Sequence, residues 1–266
     1  MTAPTALAEQ LLLLGADFAR HNDHLSRLRL DSVLPASALT QQAISTQHLA
    51  RSALDIIDAL NAQPMHHSPD IRTVYARVRQ LAHLAIDTAN YLLDAEDILD
   101  DTYAGAPVKG DGPLLTCRQA LETANSRLVL VRKLTAPGPP DTLTAAELFV
   151  TERRRRGDIP PQQPPAFSPA QHAALRAVAR GDVTIADGKP YLHRDDVRIT
   201  LSTLRSLEAR GLVTREKCPL WLHDERVHLS PDGRRDLIAT FGRPPAPART
   251  TARPAPAPQA TPSRSL

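Results

Sequence analysis

Along residues 5–135 the large apolar side chains return every three or four positions, and almost none of this stretch alternates as a strand would. That spacing predicts four long helices. The first starts near Pro4, a residue the first helical turn tolerates, and runs to about Leu28. The second covers about 38–61, with Leu49, Ala53, Ile56 and Leu60 on one stripe. A loop with Pro64 and Pro69 leads to the third, about 70–99, whose apolar face is Ile71, Val74, Val78, Leu81, Ala85, Ala89 and Leu92. Asp100, Asp101, Gly105 and Pro107 mark its end. The fourth places Leu114, Cys117, Leu121, Ala124, Leu128 and Val131 on one face, with Cys117 as a small core residue. Four such helices joined by loops predict a bundle over 1–135.

The pattern changes at Ala136. The run Ala136-Pro-Gly-Pro-Pro140 predicts the end of the bundle and a proline-rich linker over 136–167. Asp141 caps a short helix from about 142 to 155, which finishes in Arg153, Arg154, Arg155 and Arg156. Cations suit a helix C-terminus; the same quartet is also suited to contacting phosphates. Pro160, Pro161, Pro164 and Pro165 then predict an extended spacer.

From Ser168 helical and strand patterns mix. Ser168 and Pro169 open a helix that reaches Arg180 and closes at Gly181. Two β-prone runs around Asp187-Gly188 predict a hairpin, and Pro190 confines its second strand to an edge. A helix from about Thr200 to Arg210 turns Leu201, Leu204 and Leu207 inward and leaves Ser202, Thr203, Arg205, Ser206 and Arg210 outside. A strand beginning at Leu212, a loop through Cys218 and Trp221, a strand at Arg226–Leu229 and a helix from Ser230 to about Phe241 complete a folded region over 168–242. The tail, 243–266, has too few large apolar residues to bury a core and is expected to be disordered.

Composition sharpens these divisions. Of 24 prolines, eight fall in 136–169 and seven in 243–266, the two segments assigned as linker and tail. The formal charge of +3 hides an uneven distribution: −3 over 1–140, zero over 141–167, +2 over 168–242 and +4 in the tail. Positive charge thus rises toward the C-terminus, a weak signal for a polyanionic partner. Only four of 32 basic residues are lysine, a bias that GC-rich coding also produces. Two cysteines support neither a disulfide framework nor a cysteine-only zinc site. Nine aromatic residues are too few for a base-stacking platform. Neither a secretory signal nor a membrane span is apparent, so a cytoplasmic protein is expected.

The segment Leu204-Arg-Ser-Leu-Glu-Ala-Arg-Gly-Leu-Val213, a following hairpin, and Val227-His-Leu-Ser-Pro-Asp-Gly-Arg234 together resemble the second half of MarR-like winged helix-turn-helix domains. The resemblance covers 168–242 and implies a winged-helix-like α+β domain. It implies that Thr203, Arg205, Ser206 and Arg210 lie toward double-stranded DNA, and that Arg215, Lys217 and Arg226 are wing residues touching the backbone. The chain departs from the family between the opening and recognition helices, where the Asp187-Gly188 hairpin and residues 193–198 replace a supporting helix. The expected fold is therefore mainly α, a helical bundle plus a winged-helix-like domain, and the expected function a bacterial DNA-binding transcriptional regulator. The bundle is expected to sense a signal or form a homodimer. A non-enzymatic adaptor that joins protein partners is the alternative.

Three other clusters bear on chemistry. Asp94, Asp97 and Asp101 share a helix face, with Glu96 and Asp100 beside them, and would suit a magnesium-dependent phosphohydrolase. They stand at a helix C-terminus, where a solvated end or docking face is the simpler expectation. His66, His67 and Asp70, and separately Cys218, His223 and His228, carry metal-capable atoms without the spacing of known zinc motifs. No phosphate-binding glycine loop, nucleophile elbow or dinucleotide fingerprint occurs, so neither a cofactor nor an enzyme is expected.

Overall fold

The computed structural model describes residues 4–28, 37–63, 68–108, 114–160, 165–193, 198–218 and 225–242. The tail, His66, His67 and His223 lie outside them. Among the described residues the chain is mainly helical, with eight helices and one four-stranded antiparallel sheet.

Helices α1 (Pro4–Arg27), α2 (Ser37–Asn61) and α3 (Pro69–Tyr103) lie close to the predicted spans. Ser68 caps α3 by accepting from the amide of Ile71, and Pro69 occupies the first turn, where its missing N–H costs nothing. The helix runs 35 residues, about 52 Å at 1.5 Å per residue, and takes in Asp100 and Asp101 before Gly105 turns the chain at φ +68°. Helix α4 (Cys117–Thr135) starts later than its periodicity suggested. A capping box between Thr116 and Gln119 fixes the start, so Leu114 lies ahead of the helix and is 61% exposed. Cys117, in the first turn, is exposed rather than part of the core stripe, which begins at Ala120.

The expected linker helix is the main correction. Helix α5 (Gly138–Arg155) packs on α1 and α3, with Leu143, Ala145, Ala146, Phe149 and Val150 buried. Pro139 and Pro140 sit in its first turn, the one part of a helix where proline is unpenalised, so they begin this helix instead of ending the bundle. At Gly138 a Cβ would overlap the Phe18 ring, so the close crossing of α1 and α5 requires glycine there.

The C-terminal elements follow the sequence expectation closely. Helix α6 (Pro169–Ala179) begins with a Ser168–Gln171 capping box. Strands β1 (Val183–Ala186) and β2 (Lys189–Leu192) form a hairpin whose turn residues Asp187 and Gly188 both have positive φ, 49° and 69°. Helix α7 (Leu201–Ala209), strands β3 (Val213–Lys217) and β4 (Glu225–Leu229), and helix α8 (Pro231–Thr240) complete the chain. The sheet order is β2-β1-β4-β3, with Pro190 on an edge strand as expected.

One continuous apolar core links the two regions. Leu7, Leu11 and Phe18 of α1 and Phe149 of α5 belong to the same buried cluster as Leu175, Ile185, Leu204, Leu237 and Phe241. A second cluster, including Leu25, Leu39, Leu92, Leu99 and Leu128, fills the far end of the bundle.

Candidate nucleic-acid interface

Helix α7 is held by Leu204 and Leu207, both fully buried, and its N-terminus is capped by Thr200, whose hydroxyl accepts from the amide of Thr203 at 3.2 Å. That anchorage leaves Ser202, Arg205, Ser206, Ala209 and Arg210 exposed, with Thr203 half-buried. Arg205 forms no ion pair or side-chain hydrogen bond among the described residues. Ser206 receives a hydrogen bond from Gln171 of α6 at 3.0 Å. The Arg210 guanidinium lies over the Phe167 ring, 4.7 Å from its centroid, which orders the side chain and leaves it exposed. Lys217, at the end of β3, is exposed and without an ion-pair partner among the described residues.

The other two expected contacts are spent inside the protein. Arg215 is half-buried and forms a fork with Glu208 of α7, reaching Glu225 of β4 at 3.2 Å. Arg226 is 5% exposed. Its Nε and Nη2 donate to the two carboxylate oxygens of Asp23 in α1, and its Nη1 donates to the Gly181 carbonyl. In this arrangement Arg226 is a joint between bundle and sheet and not a wing contact. Of the seven residues, Arg205, Ser206, Arg210 and Lys217 are exposed and Thr203 is half-buried, with the Ser206 and Thr203 hydroxyls bonded to Gln171 and Thr200.

The Asp23–Arg226 pair sits in a wider polar seam. The Cys218 thiol donates to Asp23 at 3.5 Å, and Arg20 of α1 donates to Glu216 of β3 at 2.8 Å. Glu216 stands 3.4 Å from the His228 Nε2. Burial, reinforced by the Arg20 charge, pushes the His228 imidazole down to about 4. Burial alone would raise the Glu216 carboxyl, but the hydrogen bond and charge of Arg20 bring it below its ordinary value.

The arginine quartet at the end of α5 is also committed. Arg154 donates to the carbonyls of Ile238, Ala239 and Phe241, satisfying the C-terminal end of α8. Arg153 pairs with Asp158 at 3.2 Å, while Arg155 and Arg156 converge on buried Glu152. Arg154 is thus built into the fold and Arg153 and Arg156 are paired and largely covered, while the Arg155 side chain stays 64% exposed.

Among the described residues no group of three or more His, Cys, Asp or Glu is placed to hold a metal ion. At the acidic end of α3, Glu96 accepts from Thr40 of α2. Among the described residues no helix is long and apolar enough to cross a membrane.

The partners that spend Arg215 and Arg226 were out of reach of sequence reasoning to different degrees. Glu208 lies seven positions before Arg215, and a helix-strand step could have suggested their meeting. Asp23 is 203 positions from Arg226, with no local signal at all. No family model, curated protein or solved structure matches the chain.

Proposed function

We propose that the protein is a DNA-binding regulator of winged-helix type that uses α7 as its reading helix. The observation that carries this reading is the outer face of α7, where Ser202, Arg205 and Arg210 stand together over a buried leucine anchor. The succession α7-β3-β4-α8 agrees with the resemblance to MarR-like domains, with the β1–β2 hairpin in place of their supporting helix. Arg205 and Arg210 supply forked donors suited to guanine edges or phosphates, Ser202 and Thr203 supply hydroxyls, and Lys217 adds a phosphate contact.

The test is selection of binding sequences from a random duplex pool with the purified chain, followed by affinity measurement on the enriched site. Replacing Arg205 and Arg210 together by alanine is expected to weaken binding by at least about tenfold and, where both touch phosphates, to lower the salt slope by about two. Undiminished affinity in that double variant would remove α7 as the reading helix.

A second reading is favoured by the carboxylates that consume Arg215 and Arg226. With those charges neutralised, the region suits an adaptor that docks a protein partner and does not bind nucleic acid. It predicts no enriched sequence and no salt-dependent duplex binding.

A further inference from the structure

Helix α3 presents a solvent-facing stripe along its whole length, with exposed residues at 72, 76, 79, 83, 86, 90, 93, 97 and 100. The intervals alternate between four and three, the spacing of a helix-pairing seam. The centre of the stripe is apolar, with Ile86 42% and Leu93 36% exposed. Its N-terminal half carries Arg72, Arg79 and His83; its C-terminal half carries Asp97 and Asp100, with Asp94 and Asp101 exposed along its flank. Among the described residues none of these arginines and aspartates forms an ion pair. The contrast in charge is centred on the helix itself, because Ile86 is the midpoint of Pro69–Tyr103.

We infer that this face is where a second copy of the chain docks, α3 against α3 in antiparallel fashion. A two-fold axis between Ile86 and Asp87 sets Arg72 opposite Asp101, Arg79 opposite Asp94 and His83 opposite Asn90, and repeats each pair by symmetry. Ile86 then lies level with Asp87 of the other copy, within one turn of that copy's own Ile86. A parallel arrangement would instead bring arginine to arginine and aspartate to aspartate. Antiparallel pairing also opposes the two helix dipoles. Thr40 of α2 bonds Glu96 of α3, so Ile44, one turn further along α2 and 49% exposed, lies about level with Leu93 along the axis. The stripe from 72 to 100 is about 42 Å long but only one helix wide, a contact at the small end of specific interfaces. A dimer that dissociates in the micromolar range and weakens with salt is therefore expected. This assembly does not depend on whether α7 binds DNA.

Sedimentation velocity on the full chain, from about 1 to 100 µM and from about 50 to 500 mM salt, tests it. The wild type is expected to dimerise, less so at high salt. Arg79→Asp and Asp94→Arg each place like charges across the axis twice and are expected to weaken self-association by about tenfold or more. The double variant R79D/D94R exchanges the signs and is expected to regain the dimer, and the two single variants mixed together are expected to form a mixed dimer. Such rescue cannot arise within one chain, where positions 79 and 94 are about 22 Å apart on one rigid helix. A wild type that stays monomeric throughout, single variants that dimerise like it, or a double variant no better than the singles would each overturn the inference.

Discussion

Asp23 and Arg226 are 203 positions apart in the chain, yet both carboxylate oxygens of the first meet the guanidinium of the second in a site nearly closed to water. Removing two charges from water is costly, and their attraction offsets that cost only when geometry and further hydrogen bonds are good. Here the Gly181 carbonyl and the Cys218 thiol supply those further bonds. Removing one partner strands the other, so Asp23→Ala is expected to lower the unfolding free energy in urea by about 3–5 kcal/mol. Replacing both, Asp23→Leu with Arg226→Met, is expected to restore most of that loss, because no charge is then left buried. A single variant within about 1 kcal/mol of wild type would show the pair to be solvated in solution. The misreading of Arg226 as a wing residue has the same origin. Sequence shows that an arginine lies on a strand beside other basic residues; it does not show which carboxylate closes over it.

At the scale of elements, most of the architecture was legible because local chemistry and packing agree. Ser168-Pro169, Ser230-Pro231 and Asp187-Gly188 each satisfy a backbone requirement that the fold then uses. The failure was α5. Its prolines looked like linker composition, and only the burial of Phe149 and Leu143 by α1 and α3 reveals it as a core helix. Cys117 and Leu114 were misplaced for a related reason, since periodicity reports a face but not the turn at which a helix begins. The start of α8 illustrates a constraint that periodicity does not contain. Ser230 accepts from the amide of Gly233 and donates to the Gly211 carbonyl, which draws α8 against the chain entering β3. A Cβ on Gly233 would overlap the backbone carbonyl of Leu212, which has no flexible side chain to yield. Gly233→Ala, although favourable for helix propensity, is therefore expected to cost about 3 kcal/mol or more, read as a lowered melting temperature. An unchanged or raised melting temperature would mean that α8 does not dock on that turn.

For the whole molecule, the continuous core and the polar seam make α1 common property of bundle and sheet. Two buried histidines lie at its joints. His21 meets the hydroxyls of Ser45 and Thr46 on α2 at 3.2 and 3.1 Å, and His228 faces Arg20 and Glu216 across the seam. Burial, with the nearby His24 charge, pushes His21 down to about 4, the same value that burial and Arg20 impose on His228. In the unfolded chain both return to about 6.5. Between those values the unfolded state binds protons that the folded state refuses. The contribution of each histidine is therefore complete above about pH 6.5 and is lost as pH falls toward 4, on the order of 3 kcal/mol apiece. Calorimetry at intervals from about pH 7.5 to 4.5 is expected to show one transition at every pH, moving to lower temperature as the solution is acidified. One transition is expected because unfolding the sheet alone would expose the face that α1 and α5 bury. The double variant His21→Asn with His228→Asn is expected to flatten the pH dependence, whatever its stability at neutral pH. Two separate transitions would show that the bundle and sheet fold independently despite their shared core. An unaltered slope in the double variant would assign the acid sensitivity to other groups.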